Sequence, residues 1–157
     1  MLRNGSSTST ILSDKIAPLV FVGGPISAPD HVDVLRNIRR GLETEAKLWS
    51  LGFATTLVFS DFIITMFTPP GFSKATLQRL TWTLLAKSDY ALMLPGWMKS
   101  IGSLKEVELA NKLGIPIFTS IEDLVQANKE SMNEKAKDGR RRQNRKAQDC
   151  RNRIGTK

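Results

Sequence analysis

Between residues 18 and 120, short unbroken apolar runs alternate with stretches in which apolar residues return every three or four positions. PLVFVGG at 18–24 reads as a buried strand closed by Gly23, Gly24 and Pro25, because an unbroken apolar run suits a strand covered on both faces. Leu35, Ile38, Leu42, Ala46 and Trp49 then step by three or four, which predicts a helix with that stripe against the core and Gly52 at its end. FATTLVF at 53–59 predicts a second strand, 60–73 with Pro69, Pro70 and Gly71 a long loop, and Leu77, Leu80, Leu84 and Ser88 a second helix. YALMLP at 90–95 is the third strand, a third helix starts near Gly102, IPIFTS at 115–120 is the fourth strand, and Ser120 with Asp123 opens a short last helix.

Strict alternation of strand and helix predicts an α/β fold, a Rossmann or flavodoxin-like three-layer sandwich with a mostly parallel sheet of four or five strands. Such sheets bind ligands beyond the carboxyl ends of their strands. Here those ends are Gly23-Gly24-Pro25, Ser60-Asp61, Pro95-Gly96-Trp97 and Thr119-Ser120. The domain itself is expected over 17–132, between a disordered Ser/Thr-rich segment at 1–16 and a disordered basic tail at 133–157.

Charge sharpens that division. Residues 135–157 hold ten lysines and arginines against Asp138 and Asp149, whereas residues 1–134 hold thirteen charges of each sign. The basic character therefore belongs to the tail alone. Two readings of the tail stay open, a solvating segment and nonspecific contact with nucleic acid or another acidic partner.

The third helix carries the candidate chemistry. Glu106, Leu109, Ala110 and Leu113 form its apolar stripe, with Lys105, Glu108, Asn111 and Lys112 opposite. A carboxylate heading a buried stripe is costly unless it is paired or used. One reading is a capping box in which Ser103 caps the helix and Glu106 reaches back. The other is a nucleophile or general base in a partly dry crevice, beside free amides around Gly102 and Ser103 that favour an anion, the Ser100 hydroxyl, and the flat face of Trp97.

Other chemistries have little material. Cys150 is the only cysteine and His31 the only histidine, so no disulfide, zinc cluster or Ser-His-Asp triad is expected, and no metal or cofactor. No apolar run is long enough to span a membrane, and Asp14 and Lys15 stand just before IAPLVFV, against a signal peptide. These features point to a soluble cytoplasmic domain.

VFVGGPIS at 20–27 and LAKSDYALMLPGWMKSIGSLKEVELANKLGIPIF at 85–118 resemble the nucleoside 2-deoxyribosyltransferase-like family, including small phage and bacterial members with an LPGW-x-x-S-x-G segment. The motif carrying the resemblance is Ser100-x-Gly102-x-x-x-Glu106 after a strand opened by Ser88-Asp89. The resemblance implies that Glu106 attacks the anomeric carbon of a 2-deoxynucleoside and forms a glycosyl-enzyme. A second base or water then takes the sugar. It also implies a 5′-phosphate at Ser100, where the transferases typically have aspartate, and hence a nucleoside 5′-monophosphate substrate. Gly23, Gly24, Pro25, Asp61 and Asp89 become candidate substrate residues with Trp97, Gly102 and Ser103, and a homodimer in a bacterial or phage-infected cell is implied. The chain departs from the family at two places, which keeps a noncatalytic nucleotide-binding domain of the same fold as the alternative reading. Thr81 stands where an aspartate usually orients the sugar or protonates the base, and Phe21 where a tyrosine often holds the glutamate.

Overall fold

The computed structural model describes residues 16–56, 59 and 73–154. Four strands, β1 (Leu19–Gly23), β2 (Ala54–Thr56), β3 (Tyr90–Met93) and β4 (Ile117–Phe118), form one sheet in the order β2-β1-β3-β4. Every neighbouring pair is parallel. Helices α1 (His31–Ser50), α2 (Lys74–Ala86) and α3 (Ile101–Leu113) belong to the same compact unit, which ends at Thr119. The strands are two to five residues long, shorter than the apolar runs that predict them.

Register shows which helix covers which face. Phe21 pairs with Thr56 on one side and Ala91 on the other, and its fully buried ring joins Leu85, Ala91 and Ala110 in a core. That face therefore lies under the end of α2 and under α3. Thr55, one residue from Thr56, points the opposite way, and its Oγ1 accepts a hydrogen bond from Trp49 Nε1 at 2.7 Å. α1 thus covers the second face, and the unit is the expected three-layer Rossmann or flavodoxin-like sandwich.

The inward stripe of α1 differs from the one its apolar spacing predicts. Ile38, Gly41, Glu45 and Leu48 are buried, while Leu35, Leu42 and Trp49 are exposed. The helix is turned by about a quarter turn from the apolar pattern. Gly41 supplies the reason, because a Cβ there would stand 2.4 Å from the ring of Phe59. Only glycine lets that ring seat on the helix, and Glu45 follows it inward one turn later. Similar shifts occur elsewhere, where Leu80 on α2 and Leu113 on α3 are about half exposed and Ser103 instead heads the buried side of α3.

Glu45 is 1% exposed, its Oε1 has no hydrogen-bond partner, and burial raises its pKa to about 7. A carboxyl protonated more readily folded than unfolded loses stability as pH rises from its unfolded value near 4.5 through 7. Replacing it with Met removes that loss. The stabilisation by Glu45→Met should be about 2 kcal/mol larger at pH 8 than at pH 5, read by urea unfolding at both pH values; a gain independent of pH contradicts it.

The second unit begins at Ser120. Ser120 caps α4 (Ile121–Ile154), accepting from Asp123 N at 3.1 Å and donating to Asp123 Oδ2 at 2.7 Å. The pattern predicts a short helix and a disordered tail from 133, but α4 continues as one helix of 34 residues. Missing apolar periodicity removes a packing face, not helix propensity, and 121–154 has no proline, a single glycine and many Lys, Arg, Glu, Gln and Ala residues. Disorder before residue 16 and the loop at 60–72, with Asp61, concern residues outside those described.

Candidate active site

The chain leaves β1 for α1 on one face and β3 for α3 on the other, so the two strands' carboxyl ends flank the point where the winding reverses. Crevices form at such points. Here the crevice is a cleft of about 750 Å³ lined by Gly24–Pro29 after β1, Asn37 and Arg40 of α1, the turn after β3, and Ser100–Ser103 and Glu106 of α3.

Local hydrogen bonds fix the start of α3. The turn Pro95-Gly96 places Gly96 at φ +88, where a side chain is disfavoured, and a short 3-10 turn Trp97–Lys99 follows. Ser100 is the N-cap, its Oγ accepting from Ser103 N at 3.3 Å and its carbonyl from Leu104 N at 3.0 Å. The amides of Ile101 and Gly102 have no partner among the described residues. Beside them the Ser103 hydroxyl is 1% exposed and also unpartnered. These two free amides and the two serine hydroxyls belong to residues on one wall of the cleft, an arrangement suited to an anion. At Gly102 an added Cβ would meet only Ser100 Oγ, at 3.8 Å, so the glycine keeps this wall open.

The cap assignment decides between the two readings of Glu106. With Ser100 as N-cap, the third helical residue is Ser103, and Glu106 lies a further turn along. It is too far into the helix for a capping box. Its carboxylate instead lies against the end of β1, where a Cβ on Gly23 would come 3.0 Å from Glu106 Oε2 and 2.9 Å from Met93 Cε. No described residue donates a hydrogen bond to it, and burial alone raises its pKa to about 7. It is a half-buried, unpartnered carboxyl on the cleft wall, one turn beyond the free amides of the helix start.

Of the sequence candidates, Gly24, Pro25, Ser100, Gly102, Ser103 and Glu106 line this cleft, and Gly23 adjoins Glu106. Three do not. Asp89 sits at the opposite end of the sheet, where its Oδ2 accepts from Leu19 N at 2.8 Å and its own amide donates to Leu19 O; it anchors the start of β1. Phe21 is fully buried in the core, and Thr81, partly buried on α2, is not part of the lining. Trp97 is partly buried in the 3-10 turn, also outside the lining, and Asp61 lies outside the described residues.

Sequence reading missed Asn37, Arg40 and Lys99, which bring one amide and two cations to the lining. Neither cation enters an ion pair among the described residues. Arg40 falls between the residues of the predicted α1 stripe, so only the true rotation of that helix places it here. No cluster of three metal-ligating side chains occurs among the described residues, and no helix there is long and apolar enough to cross a membrane.

No curated protein matches the chain. A family model described as a domain of unknown function, DUF4406, matches residues 20–119, a span that takes in the whole cleft lining and, except for Leu19, the sheet. The chain belongs to the DUF4406 family.

Proposed function

We propose that this domain cleaves the N-glycosidic bond of a (2′-deoxy)nucleoside 5′-monophosphate, with Glu106 as nucleophile. The observation that carries the reading is the placement of an unpartnered, desolvated carboxyl one turn from a helix start with free amides, at the switch point of a parallel sheet. The resemblance of the Ser100-x-Gly102-x-x-x-Glu106 segment to nucleoside 2-deoxyribosyltransferase-like proteins supports it.

The chemistry follows from the positions. The 5′-phosphate sits on the Ile101 and Gly102 amides and the two serine hydroxyls, with Arg40 and Lys99 adding positive charge. That places the sugar toward Glu106. One carboxylate oxygen attacks C1′, the glycosidic electron pair leaves with the base, and the base takes a proton from solvent, since Thr81 cannot supply one. Water then attacks C1′ of the glycosyl ester and gives up one proton to solvent, the bond from C1′ to the Glu106 oxygen breaks, and the sugar phosphate leaves with Glu106 again a carboxylate; a second base taking the place of water makes the reaction a transfer. With a pKa near 7, Glu106 is ionised only in part at neutral pH, so kcat/KM rises with pH through about 7.

Chromatographic base release from monophosphates and free nucleosides tests the reading. Ser103→Ala removes a hydroxyl that has no partner in the free protein, so stability should hold while KM for the monophosphate rises about tenfold. Ser100→Ala should do the same and also cost about 1 kcal/mol of stability as a lost N-cap. Equal effects on free nucleosides contradict the phosphate assignment. A homodimer is part of the same proposal, supported by the exposed Leu35, Leu42 and Trp49 along one side of α1, and sedimentation reads it directly.

A further inference from the structure

We propose that the part of α4 from Lys135 onward is an arm that binds double-stranded DNA through its phosphates, independently of the cleft. Residues 135–154 hold nine lysines and arginines against Asp138 and Asp149, while residues 1–134 are neutral. Every side chain from Asn133 to Asn144 is exposed. The twenty helical residues span about 30 Å.

The distribution of charge selects the partner. Arg140, Arg141 and Arg142 are consecutive and so point to three sides of one turn, and Lys137 stands four residues before Arg141 as a like-charge neighbour. Positive charge therefore surrounds the helix. A helix lying on an anionic membrane needs an apolar face to bury, and between 135 and 154 the apolar residues are only Ala136, Ala147, Cys150 and Ile154. A flat acidic protein surface would engage one side and leave the remaining cations unmatched. The major groove of DNA, about 12 Å wide, accepts a helix of about 10–12 Å and puts a phosphate row on each side of it. Neutralising those phosphates also relieves the like-charge repulsion within the helix.

The test is fluorescence anisotropy with the full chain and a labelled 20-base-pair duplex, beside the variant R140Q/R141Q/R142Q, whose substitutions keep helix propensity. If about half of the nine cations reach phosphates, affinity falls by about two orders of magnitude between 50 and 200 mM salt. The triple variant should bind at least tenfold more weakly at 50 mM, with a salt slope lower by about two to three. No duplex binding at 50 mM salt, unchanged binding by the triple variant, or tighter binding to phosphatidylserine vesicles or single strands than to the duplex overturns the proposal.

Discussion

Glu106→Ala should lower base release from a nucleoside 5′-monophosphate by at least about a thousandfold, the scale on which loss of a nucleophile acts. Stability should hold or rise. The carboxyl has no donor among the described residues and is raised to about pH 7 by burial alone, so above that pH the folded protein carries a charge that the unfolded chain solvates better. Ser100, not Glu106, satisfies the start of α3, and truncating Glu106 therefore uncaps nothing. Base release measured beside urea unfolding at pH 8 separates the two roles. Retained activity with lower stability would mean that Glu106 is structural.

The second large effect is expected at Gly23. An alanine Cβ there would stand 3.0 Å from Glu106 Oε2, 2.9 Å from Met93 Cε and 3.0 Å from Met93 Sδ. All three are ends of flexible side chains, so the fold accommodates the methyl by moving them a few tenths of an ångström. For Met93 this is a small repacking. For Glu106 it shifts the attacking oxygen away from C1′, and displacements approaching 1 Å cost about a hundredfold. Gly23→Ala should therefore reduce kcat by about 10- to 100-fold while stability changes by about 1 kcal/mol or less. Loss of folding, or an unchanged kcat, contradicts this placement of the carboxylate.

The strand order of the sheet follows from alternation only in part. That helices and strands alternate was legible, because apolar runs and three-four spacing reflect burial on two faces and on one. Which face of α1 turns inward was not. Its apolar residues suggest Leu35, Leu42 and Trp49, yet Gly41 and the Phe59 ring set the rotation. A glycine is invisible to a hydrophobic pattern, and its effect depends on a partner 18 residues away. The same rotation brings Arg40 to the cleft and hides Glu45.

At the site, the motif on α3 was legible because its residues are close in sequence and one helix fixes their spacing. Asp89 was misplaced for the opposite reason. The family resemblance made it a candidate, but it precedes β3, and in a parallel sheet the start and the end of a strand lie at opposite ends, so it stands away from the cleft. The capping-box alternative hinged on whether Ser100 or Ser103 opens the helix, a shift of three residues that only the hydrogen bond from Ser103 N to Ser100 Oγ resolves. The length of α4 was hidden by its charge, since a polar helix without a packing face carries no periodic signal.

The central claim is that Glu106 becomes covalently attached to the sugar. The most direct measurement is mass spectrometry of the digested protein after acid quenching during turnover of a 2′-deoxynucleoside 5′-monophosphate. The expected result is a 5-phospho-2-deoxyribosyl adduct on the peptide containing Glu106, absent from Glu106→Ala. Base release with that peptide unmodified, or with the adduct on another residue, would contradict it.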